Sequence, residues 1–329
     1  MKLLLVNDNT RNQTNGVVTT FKGVLNELEG REILTYNVTP DHFRHFGLPG
    51  YPDVRITMDP WNLKSVVDWF KPTHVHIATE GVLGHAARRL CQARGWRYST
   101  SFHTRWDSIT DEMVGFGGER VRRHLRWFHS QSHSVLATTE GMKSLLEGWG
   151  FERVITWTRG VDKTLFSFRV PTDHPRPVLL NVGRVSVEKN LDTFCQLDPS
   201  KYDLRLVGDG PSLPRLKSLY PHVSFLGELK GESLAQQYQD ADCFVFPSRS
   251  DTFGLVMIES MSTGTPVAAY PVQGPIDVVE QGVTGYVDED LERAVDRCLG
   301  LDRHLVERGS QRWTWKNTAD IFLNSLVEI

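Results

Sequence analysis

Short apolar runs alternate with amphipathic stretches from one end of the chain to the other, the pattern of parallel strands joined by crossover helices. In the first half the runs that read as buried strands are Lys2 to Val6, Glu32 to Tyr36, His74 to Ala78, Arg97 to Ser101, Ser134 to Ala137 and Arg153 to Thr156. Helical spacing falls between them, over Val17 to Leu28, Leu63 to Phe70, Leu83 to Arg94, Glu119 to His129 and Glu140 to Glu147. The pattern breaks at Phe166 to Pro177, where three prolines and no periodicity give the composition of a linker. Strands restart at Val178 to Val182, Leu204 to Val207, Val223 to Leu226, Cys243 to Phe246, Pro266 to Ala269 and Gly285 to Val287. The final stretch, Asn317 to Val327, has its apolar residues at helical spacing. The expectation is an α/β chain of two doubly wound domains, 1–165 and 178–310, joined by the linker 166–177, with a C-terminal helix in 311–329 that packs back toward the first domain.

Composition agrees with two soluble-type cores. At 329 residues the chain has room for two domains of about 150 residues each. The 37 Lys and Arg against 40 Asp and Glu leave a net charge of -3, which excludes holding nucleic acid by bulk charge. The four cysteines, Cys91, Cys195, Cys243 and Cys298, lie far apart with no paired spacing for zinc, as in a reduced cytoplasmic chain. Four apolar residues before Asn7 are fewer than the roughly seven a signal-peptide core needs, and no run reaches the roughly 18 that span a membrane. The expected location is therefore the cytoplasm, with attachment to the inner face of a membrane still open.

Open parallel sheets bind ligands beyond the carboxyl ends of their strands. That directs attention to Asn7–Gly16, Thr79–Gly81 and Phe102–Asp107 in the first half. In the second, Phe246–Pro266 carries a strand end, a glycine loop and a helix start near Gly254, bracketed by Asp251 and Glu259. Backbone amides at such a helix start suit a phosphate or a sugar oxygen. Asp251 as a plain helix cap and Glu259 as a solvated side chain explain the same residues. Arg184 and Lys189 follow the first strand of that half, and a guanidinium fork beside an ammonium suits a diphosphate. Gly208, Leu226 and Gly227 end the next two strands, where each alone reads as a tight turn.

In this order, the motifs GR-x4-KN, GDGP, FLG and FGL with its spaced carboxylates resemble the family 4 retaining glycosyltransferases. The resemblance runs nearly the length of the chain and implies the GT-B fold, two Rossmann-like domains facing across a cleft. It implies catalytic roles for His103, Arg184, Lys189 and Asp251. Arg184 and Lys189 would clamp the diphosphate of a nucleotide sugar and stabilise the leaving group, with no metal or other cofactor needed. Gly183 and Gly208 would lie in the same donor loops, and Gly16 would let first-domain backbone approach the donor phosphate. Glu259 would accept the ribose hydroxyls, and Asp251 with the amides of Phe253, Gly254 and Leu255 would hold sugar and phosphate. Leu226 and Gly227 would meet the base, and His103 would lie beside the donor sugar. The family implies front-face transfer with retention, from a UDP-sugar first and another nucleoside-diphosphate sugar second. Asp251 stands where the family usually has Glu, which puts the sugar preference in question.

On the acceptor side, Glu80 could meet a hydroxyl, although a helix start explains its charge equally well, and Arg105 is the other candidate. The stretch Arg120, Arg122, Arg123, Arg126 and Trp127 could lie against anionic lipid, or simply form a solvated face. Similarity to members that act on lipid-linked acceptors favours a lipid; a saccharide acceptor, modified DNA bases and a non-catalytic sugar-nucleotide sensor are the alternatives. An Asp288-Glu289-Asp290 triplet imitates the metal-holding motif of single-domain transferases but also opens an amphipathic helix, which acidic caps explain. No G-x-G-x-x-G follows the first strand and no Walker loop is present.

Overall fold

In the computed structural model, which describes residues 1–11, 13, 15–48, 51–170 and 172–329, the first apolar run becomes strand β1 (Lys2–Val6) at the interior of a parallel sheet. Leu3, Leu4, Leu5 and Val6 are all buried, because helices cover both faces of such a sheet and leave no polar side. The chain continues through α1 (Gly16–Glu29), β2 (Leu34–Val38), β3 (His45–Leu48), β4 (Tyr51–Thr57), α2 (Leu63–Phe70), β5 (His74–Ile77), α3 (Val82–Arg94) and β6 (Ser99–Ser101). Then come α4 (Trp106–Val114), α5 (Gly118–His129), β7 (Val135–Ala137), α6 (Glu140–Gly148) and β8 (Val154–Thr156). The parallel strand order is β2-β1-β5-β6-β7-β8, and β3 and β4 form a separate antiparallel pair.

A second compact unit, Val161–Thr314, repeats the plan. Its elements are β9 (Val178–Val182), α7 (Leu191–Cys195), β10 (Asp203–Val207), α8 (Leu213–Leu219), β11 (Ser224–Gly227), α9 (Glu232–Asp240), β12 (Cys243–Phe246) and α10 (Leu255–Ser262). They continue with β13 (Val267–Ala269), α11 (Pro275–Val278), β14 (Gly285–Val287), α12 (Leu291–Cys298) and α13 (Arg303–Gly309). The order is β11-β10-β9-β12-β13-β14, again all parallel. The chain then returns to the first unit as α14 (Trp315–Ser325). There the Trp157 indole donates to the Thr318 carbonyl at 2.9 Å, Arg31 pairs with Asp320, and Trp315 lies over Gly23, where a Cβ would sit 2.4 Å from the ring.

Both sheets are the doubly wound parallel sheets the apolar pattern indicates. Three details differ. The compact units divide at Gly160–Val161, ahead of the proline-rich stretch, because Val161 and Phe166 are buried in the core of the second unit; Pro171 of that stretch lies outside the described residues. Strand β2 starts two residues later than its apolar run, after a turn in which Glu32 takes φ +57. The β3–β4 pair and α4 were not foreseen: glycine and proline interrupt the first, and α4 places Trp106 and Asp107 in helix where an open loop was expected. Among the described residues no helix is long and apolar enough to cross a membrane.

Candidate functional site

In the second unit the strand order reverses between β9 and β12, so the loops leaving these neighbours diverge and open a crevice. Backbone pairing between them ends at Leu180 and Phe244, and the Asn181 side-chain amide then reaches across to the Val245 carbonyl at 2.9 Å. Lys189 and Asp251 come from the two diverging loops. The ammonium lies 2.8 and 2.7 Å from the two carboxylate oxygens, with each side chain about one quarter exposed (26% and 24%). Burial pushes the Asp251 carboxyl up, but the charge and hydrogen bonds of Lys189 outweigh it and hold the group below its ordinary range. Asn190, left-handed at φ +52, ties the same loops by donating to the Pro247 carbonyl at 3.2 Å.

Helix α10 starts beside Asp251 but is not capped by it. Its N-cap is Gly254 at φ +83, with no side-chain hydrogen bond to the cap and no acid in the first turn to offset its positive end. One turn in, Glu259 accepts from the buried Tyr238 hydroxyl at 2.9 Å, and burial pushes its carboxyl up to about 7. The β9 and β10 loops are in close contact at Gly208, φ +144, where a Cβ would fall 1.8 Å from the Gly183 carbonyl oxygen. Arg184 is exposed beside Gly183, and Leu226 and Gly227 end β11 at the edge of the sheet. Phe253 is buried, and Leu255 opens α10.

The first unit reverses between β1 and β5, and there the chain supplies its own carboxyl, Asp8, which burial pushes up against the pull of its hydrogen bonds. The Asp8 carboxylate accepts from the Thr79 hydroxyl at 2.8 Å and from the amides of Gly81, Leu83 and Gly84 at 3.0, 2.7 and 3.2 Å, which closes the N-terminus of α3. Glu80 turns inward, with its side chain 9% exposed and Oε1 3.2 Å from His129 Nε2. It also lines a depression of about 400 Å³ together with Pro60, Gly81, Val82, His85 and Arg89. His103 follows β6, with Nε2 2.9 Å from the Ser101 hydroxyl. Gly16 begins α1 behind the Asn15 cap; Asn12 and Thr14 of the preceding loop lie outside the described residues.

The sequence matches Glycosyltransferase Family 4 over residues 14–165 and Glycosyl transferases group 1 over residues 176–301. The chain belongs to the family 4 glycosyltransferases. It is 28% identical to the sulfoquinovosyl transferase of Arabidopsis thaliana over 87% of this chain and 59% of that protein, so it spans well under two thirds of that relative. It is also 28% identical to a GDP-mannose-dependent alpha-mannosyltransferase of Mycolicibacterium smegmatis, over 87% of this chain and 84% of that one. Among solved structures, sucrose-phosphate synthase from Thermosynechococcus elongatus superposes with a TM-score of 0.80 at 18% identity, covering 98% of this chain and 97% of that one. The fold is GT-B.

Other candidate residues of this glycosyltransferase take more local partners. Arg105 makes a two-pronged ion pair with Asp107 at 2.8 and 3.0 Å and lies over Trp149. Arg122 leaves the expected basic face, turning to Glu119, Asp107 and the Trp149 ring. Arg120, Arg123, Arg126 and Trp127 stay exposed, while Leu125 and Phe128 of the same helix are core. In the Asp288–Asp290 triplet, Asp288 pairs with Arg293 and Asp290 caps α12 by accepting from the Arg293 amide at 3.1 Å, the structural role of acids at a helix start. Among the described residues no group of three or more His, Cys, Asp or Glu is placed to hold a metal ion. Asp8 and Arg159 escaped the sequence reading; an acid two residues beyond a buried strand was the signal for Asp8.

Proposed function

We propose that the chain transfers a hexose from a nucleoside-diphosphate sugar to a hydroxyl acceptor, with retention at the anomeric carbon and without a metal. The observation that carries this reading is the pairing of Lys189 with Asp251 across the β9 and β12 loops, beside the uncapped start of α10. A diphosphate there meets a fixed cation, outward-pointing amides and the exposed Arg184, which together stabilise the charge that grows on the leaving phosphate. Glu259, one turn further along α10, takes the ribose hydroxyls, and Leu226 and Gly227 take the base. Asp251 holds the sugar, and His103 and Gly16 of the first unit are the residues that the family resemblance assigns to donor sugar and phosphate. A departing phosphate oxygen then accepts the proton of the attacking hydroxyl on the same face of the sugar.

UDP-hexose is the first donor to test, and the mannosyltransferase relative makes GDP-mannose the second. For the acceptor we favour a lipid-linked hydroxyl. Arg120, Arg123 and Arg126 lie exposed on α5 with Trp127 at 47% exposure, and the adjoining α4 and turn expose Trp106, Val114 and Phe116 at 48%, 57% and 72%. Cations for anionic headgroups next to apolar side chains for the acyl boundary fit a membrane surface. Glu80 and its depression are the candidate acceptor pocket in the same unit. The test is mass spectrometry of products from a panel of UDP- and GDP-sugars with a mixed acceptor pool, the anomeric configuration read by NMR. Hydrolysis or transfer that needs no added metal and survives chelator is expected. Tight donor binding with no turnover on any acceptor would overturn the reading.

A further inference from the structure

The proposed reaction leaves Arg159 without a role, although it is only 3% exposed just beyond β8. Its guanidinium donates to the carbonyls of Trp157 and Thr158 at 2.8 and 3.1 Å, and its other terminal nitrogen lies 3.1 Å from Nδ1 of His103. A guanidinium has donors only, so His103 Nδ1 must be the acceptor and the ring proton must sit on Nε2. The next contact agrees with this. Nε2 lies 2.9 Å from the Ser101 hydroxyl, which itself donates to the Ala78 carbonyl at 3.1 Å and so is left accepting from His103. His76 Nε2, 3.1 Å from the same oxygen, takes the second lone pair, and its Nδ1 accepts from Ser99 at 2.8 Å. The contact from Arg159 alone fixes the His103 tautomer, and the Ser101, His76 and Ser99 contacts are all satisfied with it.

We propose that Arg159 is a positioning residue for His103, fixing the imidazole as the neutral Nε2–H tautomer in a single orientation. A second proton would have to enter at Nδ1, facing the N–H of a cation. The groups acting on the ring are Arg159 from the segment after β8, His76 from β5 and His129 from α5. Burial first, and then these three, push its titration well below the ordinary range. Phe21 of α1 and Trp157 pack against the ring, with centroids 5.6 and 5.9 Å away. Glycosyl transfer builds positive charge on the sugar, and an imidazolium beside it would oppose that charge where a neutral ring does not. With both ring nitrogens engaged inside the protein, His103 shapes the sugar site without moving protons. This rests on the reading of His103 as the residue beside the donor sugar.

The test is 15N NMR of histidine-labelled protein from pH 5 to 8, with His103 assigned by its loss in His103→Gln, together with transfer rates over the same range. In the unaltered protein His103 is expected to remain the Nε2–H tautomer without titrating, and the rate to stay flat on the acid side. Arg159→Met should raise the His103 pKa by a unit or more and make the rate fall at least fivefold at pH 5.5 relative to pH 8. Arg159→Gln, which can still donate but lacks charge, should keep the tautomer and raise the pKa; it carries the test if the Met variant fails to fold. Arg159→Lys should restore the flat profile. An unchanged His103 spectrum in a folded Arg159→Met or Arg159→Gln protein overturns the inference. If His103→Gln loses transfer while that spectrum is unchanged, only the inference falls; full activity of His103→Gln overturns the reading of His103 and the role of Arg159 with it.

Discussion

The two units build the same kind of sheet but treat its strand-order reversal in opposite ways. Between β1 and β5 the chain places its own carboxylate, Asp8, on the amides of Gly81, Leu83 and Gly84, so the positive end of α3 is already satisfied. Between β9 and β12 the corresponding helix, α10, starts at an uncapped glycine, and the nearby acid, Asp251, is turned onto Lys189 instead. The start of α3 is thus filled from within, whereas α10 has no side-chain cap and starts beside the Lys189–Asp251 pair, where we propose that the donor diphosphate binds. Under that proposal, what distinguishes the two helix starts is a side-chain acceptor supplied from within at α3 and none from the cap residue at α10.

The sharpest way to break this contrast is to remove the cation. Lys189→Ala should cost about 2 to 4 kcal/mol of transition-state stabilisation, seen mainly in kcat, and Arg184→Ala should behave alike. Steady-state kinetics with the active donor would check it, and wild-type turnover in both variants would remove the leaving-group role. The matching change in the first unit acts on stability. Asp8→Ala strips one hydroxyl and three amides of their acceptor and should lower unfolding free energy by about 2 to 3 kcal/mol. Nucleotide affinity, measured by calorimetry on the folded variant, should not move. If it weakens tenfold, Asp8 belongs to the donor site and the contrast fails.

How much of this was legible in the sequence depended on how far apart the partners lie. Strands such as β1, β9 and β12 could be read because burial on both faces makes them continuous apolar runs. Lys189, Asp251 and Glu259 stood out through motif order, but the ion pair across 62 residues did not show in the sequence. Asp8 caps amides 73 to 76 residues away, and Arg159 orients a histidine 56 residues earlier, so local pattern carries neither. Arg122 looked like one of four equivalent cations until Asp107 and Trp149 drew it inward. The β3–β4 pair stayed hidden because glycine and proline interrupt its alternation.

A smaller effect sharpens the second site through pH. Burial raises Glu259 from its ordinary 4.5 to about 7, so between those values the folded chain holds a proton that the unfolded chain releases. The stability contributed by this carboxyl is therefore complete below about 4.5 and is lost as pH rises through 7. Glu259→Gln should stabilise the fold by about 1 to 2 kcal/mol at pH 8 and change little at pH 4.5, read by thermal unfolding. Donor binding should respond with the opposite sign. Ribose hydroxyls favour the ionised acceptor, so nucleotide affinity should rise through pH 7 in the unaltered protein and become flat and weaker in the variant.

The finest distinction is whether Asp251 behaves as Asp8 does, a permanent internal partner, or as a partner that shares its cation with the ligand. Asp8 is held by four neutral donors, the Thr79 hydroxyl and three backbone amides. Asp251 is ionised at neutral pH and lies on Lys189, one of the two cations that the proposed diphosphate would also meet. A free nucleoside diphosphate has no sugar for Asp251 to hold, so toward that ligand the carboxylate contributes only competition for Lys189 and repulsion of phosphate. Asp251→Asn should therefore bind the free nucleoside diphosphate about three- to tenfold more tightly, roughly 1 kcal/mol, while transfer from the complete sugar nucleotide falls. Calorimetry with UDP and GDP on both proteins decides it. Weaker binding by the variant would mean that the carboxylate orients Lys189 for the phosphate, which would make Asp251 a fixed internal partner of the same kind as Asp8.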